Sequence, residues 1–127
     1  MPDNLTYEYA IIRVVPRVER QEFFNVGVLL YAKRNRFLGI KYHICPQKLN
    51  AFSKDLNVSE LENYLNAWAL ICEGNLQGNT IEQLDISDRF RWLAASKSTV
   101  IQCSPTHVGI CTNPKETLEG LFTMFVE

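Results

Sequence analysis

A chain of 127 residues is a common size for one domain and can bury a substantial core without disulfide or metal staples, so a single domain over 1–127 is expected. Apolar residues make up 46% and charged residues 21%, near ordinary globular usage, which excludes a disordered or fibrous chain. A formal net charge of −1 excludes a surface that tracks nucleic acid all over, while leaving room for a local basic patch.

After a short arm at 1–5, "TYEYAIIRVV" is rich in aromatic and β-branched residues, is bounded by Pro16 and reads as a strand. Tyr7, Tyr9, Ile11 and Arg13 share one face of it; Ala10, Ile12 and Val14 share the other. "FFNVGVLLYA" reads as a second strand, with Phe24, Val26, Val28 and Leu30 as an unbroken apolar face. Phe23, Asn25, Gly27, Leu29 and Tyr31 fall on its opposite face. Gly27 inside a strand calls for a bulge, or for close approach of a backbone or ligand. "KRNR" turns the chain into a third strand, "FLGIKYHI", and short connections make these three an antiparallel meander.

The middle of the chain reads as helical. "PQKLNAFSK" is a short helix, and "VSELENYLNAWALICEG" a longer one with Asn57 as N-cap, Leu56 stapled to Leu61, and Gly74 as the stop. "GNLQGNTIEQ" reads as a loop, and Ser87 opens a helix over "DRFRWLAAS". "STVIQC" and "HVGIC" are expected as a hairpin turning at "SPT", which would bring Gln102 and His107 near each other. In "NPKETLEGLFTMFVE", Asn113 caps, Pro114 takes the first helical position, and Leu118, Leu121, Phe122 and Phe125 form one stripe. The expected class is α+β: a mainly antiparallel sheet of about five strands with helices packed on one face.

Chemistry concentrates where the first two strands meet. Arg13 lies on the first strand, Arg17 and Arg20 on the connection, and Asn25 and Gly27 just beyond it. Guanidinium groups are planar, permanently charged and fork-shaped, so several together suit a carboxylate or phosphate. Asn25 would add an amide donor, and Gly27 would let a ligand approach the backbone. The competing reading is a solvated turn whose arginines pair with Glu19 and Glu22. A second polar group, set amid core residues, comprises Arg89, Arg91, Lys97, Ser98, Thr99, Gln102 and His107. Ser98 and His107 do not make a catalytic pair, because no orienting acid or oxyanion loop accompanies them.

"AKRNRFLGIK" sets Lys33, Arg34, Arg36 and Lys41 beside Tyr31, Phe37 and Tyr42. That composition could hold a nucleic-acid strand, but a charged hairpin tip protecting a sheet edge is the favoured reading. Cys45, Cys72, Cys103 and Cys111 lack zinc or redox spacing and read as buried reduced thiols; His43 with Cys45 is too few ligands for a metal. No nucleotide-loop, nucleophile-elbow or zincin pattern occurs, so neither cofactor nor metal is expected. No leader and no apolar run of about 20 residues is seen, which points to the cytoplasm and away from a membrane.

Two blocks together resemble a known family. The first runs Tyr9-Ala10, Arg13, Pro16, Arg17, Glu22, then Asn25-Val26-Gly27-Val28. The second runs Arg91-Trp92, Ser98-Thr99, Gln102, Ser104-Pro105, His107 and Gly109. They are similar to the bacterial family catalogued as domain of unknown function 3037. That resemblance implies a small stand-alone protein often encoded beside a HipA-like kinase, and hence an accessory or paired role; it implies no activity. The expectation is therefore a non-enzymatic interaction module whose arginines bind an acidic or phosphate-bearing partner, with a HipA-like kinase as first candidate. A small phosphoester- or nucleotide-directed enzyme using His107 is the alternative.

Overall fold

The computed structural model describes residues 4–16, 22–54, 56–95 and 100–127. Among these, five strands and four helices run in the order β1 (Leu5–Val14), β2 (Phe24–Ala32), β3 (Phe37–Tyr42), α1 (Pro46–Phe52), α2 (Val58–Glu73), α3 (Ile86–Ala94), β4 (Ile101–Cys103), β5 (His107–Cys111) and α4 (Pro114–Phe125). The α+β class and the five-stranded antiparallel sheet are as expected. β1 is central: β2 lies along one edge of it with β3 beyond, and β4 and β5 both lie along the other edge.

Strand alternation divides the apolar residues between two cores. Ile12, Val14, Leu29 and Tyr31 pack with Leu49, Leu65, Trp68, Phe90 and Leu93 from α1, α2 and α3. Ile11, Val28 and Leu30 point the other way and pack with Leu118 and Phe122 of α4. The helices are thus shared between both faces rather than gathered on one. A central antiparallel sheet with apolar residues at successive positions has two dry faces to cover, and the stripe on α4 covers part of the second.

The unbroken face Phe24–Val26–Val28–Leu30 does not form. The register shifts between Ile12 and Arg13: Ile12 stands opposite Gly27, whereas Arg13 stands opposite Asn25. Val26 is the extra residue of a β-bulge, and a bulge reverses the side-chain phase of everything beyond it. Phe24 and Val26 therefore join the core under α1–α3, while Val28 and Leu30 face α4. Val26 keeps a carbonyl partner, the His43 N–H at 2.8 Å.

The expected hairpin over "SPT" is also absent. β4 and β5 run end to end along β1, Ile101–Cys103 opposite Val14–Ile12 and His107–Cys111 opposite Tyr9–Leu5. Between them Ser104 completes the ladder twice, its N–H donating to the Ile11 carbonyl and its Oγ accepting from the Ile11 N–H, each at 2.8 Å. Pro105, which has no N–H, sits where the ladder is interrupted. Gln102 and His107 accordingly lie along one interrupted edge, not across from each other.

Helix ends follow the expected capping residues at three of four positions. Asn57 and Asn113 accept from the N–H of Glu60 and Glu116, and Gly74 ends α2 at φ +75. Ser87 does not open α3: Asp85 takes that position, and the Ser87 hydroxyl bonds the Tyr31 hydroxyl at 2.7 Å instead.

Candidate anion-binding site

The site is built by the bulge. Without it Arg13 would face Val26, and Asn25 would fall opposite Val14 on the other side of the sheet. With it, Asn25 on β2, Arg13 on β1 and Gln102 on β4 form a row across three adjacent strands. Directly opposed residues bring their Cβ atoms within about 5 Å, so the row is one continuous polar strip. It lies on the α4 side, at that helix's C-terminal end: the Asn25 amide donates to the Phe125 carbonyl at 3.1 Å.

Beneath the guanidinium lies the exposed Phe23 ring, 4.0 Å from centroid to Cζ. Among the described residues no carboxylate lies within ion-pair reach of Arg13. Its Nε is enclosed without a hydrogen-bond partner, as is the Asn25 Oδ1 across from it. The terminal nitrogens, the fork of the guanidinium, are not among these enclosed and partnerless atoms. Such a fork can take two oxygens of a carboxylate or phosphate side by side.

Farther along the same face of β1 the strip becomes aromatic. Tyr7 and Tyr9 have ring centroids 5.9 Å apart, the exposed His107 ring lies 5.3 Å from Tyr9, and Phe125 lies 6.3 Å from it. Helix α4 lies mainly over β2 and β3, which leaves the β1–β5 side of this face less covered.

The other sequence-derived candidates distribute as follows. Gly27 serves packing between strands: a Cβ there would meet the Lys41 carbonyl oxygen at 2.7 Å and Tyr42 Cβ at 2.8 Å. What comes close is β3, not a ligand. Arg91 lies with α3 on the opposite face, its fork filled by both carboxylate oxygens of Glu8 at 2.8 Å each. That hydrogen bond raises the Arg91 pKa further. Arg17, Arg20, Lys97, Ser98 and Thr99 lie outside the described residues. His107 pairs with Tyr9, four residues from Arg13 on β1, or about 13 Å along a strand. That is too far for His107 to act on a phosphate seated at Arg13.

The basic hairpin does not assemble as a platform. Lys33, Arg34 and Asn35 are exposed at the turn. Lys41, however, pairs with Glu119 over the Phe122 ring, and the Tyr42 hydroxyl donates to Asn66 on the far side. Among the described residues no three His, Cys, Asp or Glu side chains converge on a point that could hold a metal ion. No described helix is long and apolar enough to cross a membrane.

Two features were not read from the sequence. Phe23 stacks under Arg13 although nothing in the local pattern distinguishes it from a strand residue. The Tyr7–Tyr9–Arg13 spacing was legible, but the arrival of His107 beside Tyr9 depends on β5 continuing the edge begun by β4.

Fold and site together define a small α+β domain with a central antiparallel sheet and a cationic strip at a bulged strand junction. The chain belongs to the DUF3037 family, described as a protein of unknown function, whose family model matches residues 9–126. No curated protein and no solved structure matches the chain.

Proposed function

We propose that the protein is a non-enzymatic binding module that takes a phosphate-bearing or acidic group on Arg13, oriented by Asn25 and Gln102. Arg17 and Arg20 follow closely in the chain and would supplement the charge. The observation that carries this reading is the state of Arg13. A cation with no carboxylate in reach among the described residues, stacked on Phe23 and with its Nε enclosed without a partner, is costly to maintain for stability alone. Each such orphaned group costs about 1–3 kcal/mol, and orphaned groups in a native fold call for a functional account. The distance between Arg13 and His107 is why a binding role is preferred to hydrolysis of a phosphoester.

The test is a titration with inorganic phosphate and pyrophosphate followed by amide chemical shifts. Shifts are expected around Asn25 and Gln102. Arg13→Gln should bind about tenfold to a hundredfold more weakly, since a hydrogen bond to a charged group contributes about 1.5–3 kcal/mol. Arg34→Gln, at the exposed turn, should bind as wild type. Equal binding by Arg13→Gln and wild type would remove the reading. A HipA-like kinase is the first protein partner to try; its equal recovery by both forms would exclude it as the occupant of this strip.

A further inference from the structure

We infer that the ligand is a nucleotide, its phosphate held by Arg13 and its base stacked on the aromatic row of Tyr9 and His107. This rests on the anion reading above and adds to it the chemistry of the neighbouring surface. Tyr7, Tyr9, Ile11 and Arg13 project from one face of β1, and the edge strand adds His107 beside Tyr9. His107 is exposed and Tyr9 half-buried, so a flat group can reach the row from the solvent side. Every base presents a π-face, so aromatic rings hold bases with little regard to their identity, and a nearby guanidinium takes the phosphate.

Spacing separates a nucleotide from the other phosphate carriers. Four strand residues set Tyr9 and Arg13 about 13 Å apart. A phosphorylated tyrosine carries its phosphate directly on the ring and cannot span that interval, and phosphorylated serine or threonine brings no ring. A base with a polyphosphate tail, or a base followed by the phosphate of the next nucleotide in an extended strand, can span it. The net charge of −1 argues for few phosphate contacts. For a single strand the salt slope should therefore be shallow, about −0.7 per phosphate held.

The experiment measures binding, without divalent cations, of three probes: adenosine triphosphate, hexathymidylate and inorganic tripolyphosphate. Wild type, His107→Ala and Arg13→Gln are compared. His107 is exposed at an edge, and circular dichroism confirms that the variants fold. The better of the two base-bearing probes should bind at least about tenfold tighter than tripolyphosphate. His107→Ala should erase that margin and leave tripolyphosphate affinity unchanged, whereas Arg13→Gln should weaken all three. Preference for the triphosphate identifies a free nucleotide as the source, and preference for hexathymidylate identifies a single strand. Tripolyphosphate binding as tightly as both, or a margin that survives His107→Ala, overturns the nucleotide inference while leaving the anion site standing. Indifference of all three probes to Arg13→Gln overturns the anion reading itself.

Discussion

Arg13 and Cys72 show two ways in which a residue's surroundings, rather than its identity, set its chemistry. Arg13 keeps its charge in a partly enclosed position with an aromatic ring 4.0 Å from its guanidinium carbon. Cys72 is a thiol in the core between α2 and α3, and burial pushes its pKa up to about 12 from an ordinary value of 9.0. Between those two values the unfolded chain has lost the proton and the folded chain still holds it. Stability therefore falls as pH rises above about 9 towards 12, while below 9 both states hold the proton and this group adds no pH dependence. In urea unfolding from pH 8 to 11, Cys72→Ala should start less stable than wild type but decline less steeply. Parallel declines would show that Cys72 is not the group responsible.

At the scale of single elements, what holds an end in place is often supplied from elsewhere in the chain. Helix α2 ends with carbonyls that lack intrahelical partners. The guanidinium of Arg89, from α3, answers two of them: one Nη donates to both Ile71 and Cys72 at 2.8 Å, and Nε donates to the Leu84 carbonyl at 3.0 Å. Gly74 makes room for this, since a Cβ there would sit 2.7 Å from the guanidinium carbon. Arg89, one of the polar groups set amid core residues in "DRFRW", is thus a buried clamp between two helices. Arg89→Met keeps much of the apolar stem but leaves three carbonyls without a donor, and should cost about 3 kcal/mol in urea unfolding. A loss below about 1 kcal/mol would mean that water replaces the clamp without penalty.

For the molecule as a whole, the sheet is the partition between a larger core under three helices and a smaller one under α4. The smaller core matters to the candidate site, because the end of α4 supplies the carbonyl that holds the Asn25 amide. Phe122 is buried there against Val28 and Leu30. Phe122→Ala should cost about 3–5 kcal/mol by chemical denaturation, with binding at Arg13 weakened in whatever fraction stays folded. A cost near zero would show that α4 is an ornament on a sheet stable without it.

Much of this was legible in the residues themselves. The order of strands and helices, the caps at Asn57, Gly74 and Asn113, and the facing of Arg13 with Tyr7 and Tyr9 all follow from spacing, turn chemistry and side-chain alternation. These are local properties that a chain cannot hide. The row Asn25–Arg13–Gln102 was not legible, because it depends on one inserted residue in β2 and on an edge strand nearly ninety positions away. Nor was the face chosen by Arg91, which turns on a carboxylate contributed by β1. Strand register and interhelical contacts are settled by the competition of whole faces for burial, and that competition exists only once the chain has closed on itself.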